Sequence, residues 1–341
     1  MRAVRVVGER QLEIANIEPP APPGAGEVQV RIRTVALNHI DVWGWRGMAF
    51  ARRRLPLTAG AEAAGEIAAL GEGVEGLKPG QIVALYGALT CRTCPACRNG
   101  RDNLCEAQNT IFGFHIDGFL TELINLPARL AVPAPSGVGA EAAACVPIAI
   151  GTPEHMLFAN AGLAAGETVL IHAGGSGVGS IAIQLAKAAG ARVFATVGSD
   201  EKAGRALDLG ADEVINYRKE RFEARVRKLT DRKGVDVVFE HVGADTWQGS
   251  LLSLKRGGRL VTCGSTTGVA ARTNLFMLYQ QRLRIFGSFG CTLADMRSAM
   301  DKLAAGRVRP VIDGVIGVDG VEDALKRLED RNVFGKILVR M

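Results

Sequence analysis

The stretch that most constrains this chain of 341 residues runs from 168 to 190 and reads TVLIHAGGSGVGSIAIQLAKAAG. Residues 168–172 are a short apolar run rich in β-formers. A glycine cluster ends it, and apolar residues at helical spacing follow through Ile181, Ile183, Leu185 and Ala186 to a closing Gly190. Strand, glycine turn and helix in immediate succession suit a dinucleotide pyrophosphate. Glycines let the backbone come close, and a helix N-terminus offers free N–H groups and a positive dipole end. Against the pattern G-x-G-x-x-G, Gly174 and Gly179 fit, while Ser176 stands at the middle glycine. The expected nucleotide contacts are Gly174, Ser176, Gly177, Val178 and Gly179. A tight strand-to-helix connection without a ligand looks the same, so the residues beyond Gly190 have to decide between the two.

Residues 191–197 (ARVFATV) read as a second strand, followed by Gly198, Ser199, Asp200, Glu201 and Lys202. An NAD-selective site carries an acidic side chain at the end of this strand, on the ribose 2′-OH. Gly198 and Ser199 stand there instead, with Lys202 close behind. A small residue plus a cation accommodates a 2′-phosphate, and Asp200 counts against it. Further β-rich runs at 213–216, 235–240 and 259–263 alternate with amphipathic stretches, the pattern of a parallel, doubly wound sheet. The expected fold class is therefore α/β with a nucleotide-binding domain, and the expected cofactor is NADPH.

The length exceeds a comfortable single core, so two domains are expected. A content of 48% hydrophobic and 22% charged residues is that of a soluble globular protein. The net charge of +6 suits anionic cofactors and substrates. No Lys/Arg tract is interleaved with aromatics, so no nucleic-acid partner is expected. Met1 opens directly into the strand-like MRAVRVV, and no apolar span is long enough to cross a membrane. The expected location is the cytoplasm, where the seven cysteines stay thiols or bind metal.

Up to about residue 127 the chain is rich in short alternating runs, such as 28–35 (VQVRIRTV) and 81–85 (QIVAL), with Pro/Gly punctuation. A compact, mostly antiparallel β domain fits. Within it, Cys91, Cys94, Cys97 and Cys105 follow C-x-x-C-x-x-C-x7-C, interrupted by turn formers. Four thiolates at this spacing can close a tetrahedral shell around one Zn2+. A closed shell leaves no position for substrate, so such a metal holds a loop together. Free or redox-active cysteines are the alternative.

With these motifs in place, the sequence resembles the medium-chain dehydrogenase/reductase superfamily over essentially its full length. The matching stretches are 38–41, 60–65, the four-Cys lobe, the turn 174–179 and 334–339 (FGKILV). The resemblance implies a GroES-like β catalytic domain with a structural zinc lobe at 1–148, completed by 289–341. It also implies an inserted Rossmann domain at 149–288. Within the zinc-type branch, Cys91, Cys94, Cys97 and Cys105 align with the structural zinc ligands.

The departures from that branch carry the functional expectation. Asn38 stands where zinc alcohol dehydrogenases have a catalytic Cys, Ala61 where they have a His, and Ile148 where the third ligand falls. Cys145 is three residues off that register, and Ile40 replaces the proton-relay hydroxyl. Without a Lewis acid, a developing alkoxide loses several kcal/mol of stabilisation. A conjugated double bond has an easier route, since hydride adds to the β-carbon and hydrogen-bond donors can stabilise the enolate. Zinc-free quinone oxidoreductases and enoyl reductases of the superfamily do this with NADPH. Residues 142–147 (AAACVP) resemble their entry into the Rossmann domain, and Ser199, Lys202 and Tyr217 their 2′-phosphate site. The expected activity is reduction of an enone, an enoyl thioester such as enoyl-CoA, or a quinone. A zinc alcohol dehydrogenase with atypical ligands and a non-catalytic NADPH-binding protein are the alternatives.

For the chemistry, Asn38 is the expected amide donor to the substrate oxygen, His39 could face the pyrophosphate or donate a proton, and His115 is a candidate acid. Trp43, Trp45, Phe50 and Phe276 are candidate pocket walls. Arg46, Arg52, Arg53 and Arg54 share a loop that could receive the phosphates of an acyl-CoA, or simply face water. A homodimer or homotetramer is expected.

Overall fold

The computed structural model describes residues 1–47, 53–107 and 110–341. The chain divides into two compact units, Met1–Gly151 with Cys291–Met341, and Thr152–Gly290.

In the first unit the main sheet is built on the strand Glu27–Ala36. Its alternation turns Val28, Val30 and Ile32 inward and Arg31 and Arg33 outward. This strand pairs antiparallel with Ala63–Leu70, Leu123–Pro127 and the C-terminal strand Lys336–Arg340. Where its register with Ala63–Leu70 shifts, Gly65 is required, because a Cβ there would lie 2.3 Å from the Arg31 carbonyl oxygen. Across the sheet, Ala131–Pro133, Ile82–Leu85, Ala63–Leu70, Glu27–Ala36, Lys336–Arg340 and Ile312–Ile316 lie side by side in that order, and only the last pair is parallel. Pairing of the C-terminal strand has a local consequence. Leu338 lies opposite Ala36, and Leu37 N–H donates to the Ile337 carbonyl at 3.0 Å, which brings Lys336 beside Asn38.

The second unit is a six-stranded parallel sheet in the order Glu213–Asn216, Arg192–Val197, Thr168–Ile171, Val235–Glu240, Leu254–Thr262 and Arg284–Gly287. This is the doubly wound α/β fold read from the sequence. Strand order reverses at Thr168–Ile171, and ligands of such sheets bind beyond the carboxyl ends of the strands at that point. The turn 172–176 and the helix Gly177–Ala188 come directly after it. Leu170, Phe194, Ile215, Val238 and Leu260 fill the core behind them. Among the described residues, no helix is long and apolar enough to cross a membrane.

Candidate functional site

In the first unit, three stretches far apart in sequence meet at the carboxylate of Glu62, which is completely buried. Its Oε1 accepts from Ile148 N–H at 2.6 Å and Ala149 N–H at 2.7 Å. Those two N–H groups belong to the π-helical turn Val146–Ile150, near its start, where no intrahelical acceptor exists for them. Oε2 accepts from Asn38 Nδ2 at 2.9 Å and from Lys336 Nζ at 2.9 Å. Lys336 uses its other two hydrogens on Leu37 O at 2.6 Å and Asn38 Oδ1 at 2.7 Å. A lysine can only donate and a carboxylate only accept, so the Asn38 amide has one possible orientation.

Both Asn38 amide hydrogens are therefore committed, one to Glu62 and one to Ala36 O at 2.9 Å. That corrects the expectation that Asn38 donates to a substrate oxygen. Beside it, Asp41 accepts from Asn38 N–H at 2.8 Å and Ala61 N–H at 3.1 Å. Burial raises the Asp41 carboxyl to about 6, against the pull of those hydrogen bonds and of Lys336. Asn38 and Ile148 are thus tied to Glu62, and Asn38 and Ala61 to Asp41, with the Lys336 ammonium bonded to Asn38 and Glu62. Cys145 has its thiol on Glu141 O at 3.6 Å and is held protonated by burial.

Over this polar centre the first unit presents apolar side chains. Ala61, Ile111 and Phe114 form a buried cluster against which Ile40, Trp43 and Ile148 pack. The ring of His115 stands edge-on to Phe114 with centroids 5.0 Å apart. Its Nδ1 accepts from Ile111 N–H at 3.1 Å, so Nε2 carries the proton of the neutral ring. Burial and the Arg53 charge both lower its pKa. Donation from His115 would therefore run through Nε2–H. His39 lies half-buried in the first turn of the helix His39–Trp45, within electrostatic reach of Glu329.

The arginine loop does not act as one face. Arg46 pairs with Glu329 at 3.2 Å. Arg53 turns inward, donating to Gly44 O at 2.5 Å with its guanidinium 5.3 Å over the Phe114 ring. Arg54 is exposed, while Arg52 lies outside the described residues, as does Phe50. Trp45 is core, 1% exposed, and Phe276 is exposed on the second unit, so of the described candidates only Trp43 lines the apolar surface.

In the second unit the Ser176 Oγ caps the helix, accepting from Gly179 N–H at 2.8 Å. Gly177 and Val178 N–H groups of that first turn are left for an anion, since a helix cannot satisfy them from within. The turn needs its glycines. A Cβ on Gly179 would lie 2.3 Å from Ala173 O, and one on Gly174 would lie 3.1 Å from Ile183 Cδ1. These residues fit a pyrophosphate. At the next strand end, Ser199 caps the helix Asp200–Asp208 and accepts from Lys202 N–H at 3.2 Å. A Cβ on Gly198 would meet Tyr217 Oη at 2.6 Å and Arg218 Nε at 3.6 Å. Asp200 is held by Lys219 at 2.5 Å and Asn216 at 2.9 Å, which lower its pKa.

Two residues of these sites escape a reading of the sequence. Arg218 directly succeeds Tyr217, and Lys336 sits among Ile, Leu and Val in the C-terminal motif. A charge opening an otherwise apolar strand is the available signal for Lys336.

In the cysteine lobe, the Sγ atoms of Cys91, Cys94, Cys97 and Cys105 all lie within 4.8 Å of one another. Cys91 Sγ accepts from Thr93 N–H at 3.4 Å and Cys94 N–H at 3.3 Å. Hydrogen bonds from Thr93 and Cys94 pull the Cys91 thiol down to about 5. Four converging thiols suit one tetrahedral zinc with no position left open, which ties down the loop and does no chemistry.

A β unit carrying a four-thiol lobe, joined to a doubly wound parallel sheet with a glycine turn at its switch point, defines the two-domain dehydrogenase/reductase class. Residues 24–136 match the alcohol dehydrogenase GroES-like domain, and residues 177–305 match the zinc-binding dehydrogenase family. The chain belongs to the medium-chain dehydrogenase/reductase superfamily. It is 33% identical over 341 residues to an acryloyl-coenzyme A reductase of Metallosphaera sedula, covering 99% of both chains. It is 33% identical over 325 residues to a quinone oxidoreductase of Salmonella typhimurium, covering 94% of this chain and 89% of the other. The solved structure of an NAD-dependent alcohol dehydrogenase superposes with a TM-score of 0.95 at 37% identity over 100% of both chains.

Proposed function

We propose that this chain is an NADPH-dependent reductase of carbon–carbon double bonds conjugated to a carbonyl, in an enone, a quinone or an enoyl thioester such as enoyl-CoA. The observation that carries the reading is the Asn38–Glu62–Lys336 network. The set of an amide, an alanine and an isoleucine at positions 38, 61 and 148 offers no adequate donors to a catalytic metal, and Asn38 is itself held by the Glu62 carboxylate and the Lys336 ammonium. The relatives named acryloyl-coenzyme A reductase and quinone oxidoreductase support the same class of reaction.

Bound reduced nicotinamide supplies the hydride. Residues of the chain do the rest. The partly buried Ile40, Trp43 and Ile148 offer apolar contacts to a conjugated acceptor and exclude water. His115 Nε2–H donates toward the carbonyl oxygen on which negative charge develops. His39 is the second candidate proton donor, and Asn38 is a positioning residue. Gly174, Ser176, Gly177, Val178 and Gly179 hold the pyrophosphate, while Ser199, Lys202, Tyr217 and Arg218 hold the 2′-phosphate. A side chain at position 198 would meet the Tyr217 hydroxyl, which would have to move. Cys91, Cys94, Cys97 and Cys105 hold one structural zinc. The cytoplasm is the proposed location, and exposed apolar side chains on the second unit support a homo-oligomer.

The test is the oxidation of NADPH and of NADH with an enoyl-CoA, a small neutral enone and a quinone side by side, against the oxidation of simple alcohols. Turnover of a conjugated acceptor with NADPH is expected. Lys202→Ala should cost about tenfold in NADPH affinity and little in NADH affinity, the weight of one charge-assisted phosphate contact. Preferential alcohol oxidation, or a wild type that favours NADH, overturns the reading.

A further inference from the structure

Beneath the glycine turn of the second unit runs a set of buried polar groups that the proposed chemistry does not use. Glu240 and His172 are completely buried, and so is Ser250. Glu240 Oε1 accepts from Val242 N–H at 2.6 Å and Gly243 N–H at 3.1 Å, and Oε2 from Thr246 Oγ1 at 2.8 Å and Ser250 Oγ at 2.7 Å. The carboxylate fixes every proton in the hydrogen-bonded chain leading away from it. Ser250 gives its hydrogen to Glu240, so at the 2.9 Å contact His172 Nε2–H must donate to Ser250 Oγ. Nδ1 of the neutral ring is then the acceptor, and Thr196 Oγ1 donates to it at 3.1 Å. With its hydrogen spent, Thr196 Oγ1 accepts from Ala173 N–H at 3.2 Å. Burial keeps His172 neutral, in agreement with this assignment.

The chain ends on a strained residue. Ala173 has φ +47°, in the left-handed region that a residue with a Cβ disfavours. From that conformation its carbonyl accepts from Ser176 N–H at 2.8 Å, and Gly174 N–H reaches the Thr196 carbonyl at 2.9 Å. Thr196 thus grips two successive N–H groups at the start of the turn, one with its side chain and one with its backbone.

We propose that the chain Glu240–Ser250–His172–Thr196 is a positioning device for the nucleotide, holding Ala173 left-handed so that the glycine turn is shaped for the pyrophosphate before it binds. The proposal rests on the reading that the second unit binds a nicotinamide nucleotide. Thr196, His172 and Ser250 are positioning residues, since all three are buried and act through the turn.

The experiment measures the dissociation constants of NADPH and NADH by titration calorimetry on the full chain, with thermal unfolding recorded in parallel. Thr196→Val keeps the shape and removes the hydroxyl, and should weaken NADPH binding about tenfold, while Thr196→Ser should stay within about twofold. Adding Ala173→Gly to Thr196→Val should recover most of the loss, because glycine adopts the left-handed conformation without help. A hydroxyl that merely stabilised the fold would lower the unfolding temperature, and Ala173→Gly would not restore affinity. Ser250→Ala, which breaks the chain away from the turn, should weaken binding about threefold and be rescued by the same glycine. Unchanged binding in Thr196→Val, or no recovery with Ala173→Gly, overturns the proposal and leaves nucleotide binding standing. A wild type that binds neither nucleotide overturns both.

Discussion

The Glu62 carboxylate is completely buried, and four donors surround it. Ile148 and Ala149 N–H, the Asn38 amide and the Lys336 ammonium each take one of its hydrogen-bonding positions. Asp41 nearby is worse provided, with two backbone donors and the repulsion of Glu62. Its carboxyl, raised by burial to about 6 from 3.8, binds a proton more tightly in the folded than in the unfolded chain. Its contribution to stability is therefore fully present below about pH 4 and is lost as the pH rises through 6. Urea unfolding of wild type and Asp41→Asn across pH 4 to 7 should show the wild type losing ground to the variant by about 3 kcal/mol at most. Asparagine will cost a constant amount, since one backbone N–H loses its acceptor, so the slope with pH is the readout. A difference that stays flat with pH would show that Asp41 does not titrate in this range. Asn38, Glu62 and Ile148 were legible in the sequence as places, because motif spacing fixes them. Their chemistry was not. The group that decides it, Lys336, lies 298 residues from Asn38, and only the pairing of the C-terminal strand to Ala36 brings it in.

Elements whose signal is local were read correctly. The strand–turn–helix around Gly174 and the antiparallel alternation of Glu27–Ala36 both depend on neighbours a few residues apart. Those that borrow their stability were missed or cut short. Arg284–Gly287 has four residues and exists because Leu254–Thr262 supplies its partner; the latter begins before the sequence suggested, through residues with no β pattern. The π-helical turn Val146–Ile150 has no sequence signature, yet it aims two N–H groups at Glu62. The cysteine lobe is the most local case, since its four thiols come together within fifteen residues of chain. It has little core of its own and is tied on by the Asp102 carboxylate, which accepts from Leu293 N–H at 3.2 Å. Purified protein should hold one zinc per chain by metal analysis, and Cys94→Ser should lower the unfolding temperature by at least about 5 °C while the surviving protein keeps activity. Two zincs per chain would sink the reading of positions 38, 61 and 148 as a site without metal.

At the scale of the whole molecule, the second unit leaves a sheet edge and an apolar helix exposed side by side. Arg284–Gly287 is bonded on one side only. Just ahead of it, the helix Leu275–Gln280 presents Leu275 at 68% exposure, Phe276 at 64% and Tyr279 at 67%, the two rings meeting edge to face at 5.4 Å. Three large apolar side chains this exposed in one short helix mark a surface that is covered in use. An open edge strand invites another strand, and with no charged block beyond Arg284 it is poorly guarded. A homo-oligomer is expected here: a two-fold axis pairing the two edges antiparallel would cover both features. Light scattering on the 36.1 kDa chain should give an even multiple of that mass at micromolar concentration. Replacing Phe276 and Tyr279 together by Asp should yield monomers with unchanged circular dichroism, because neither side chain belongs to the core. A wild type that is monomeric, or a double variant that assembles as before, would remove this face from the interface.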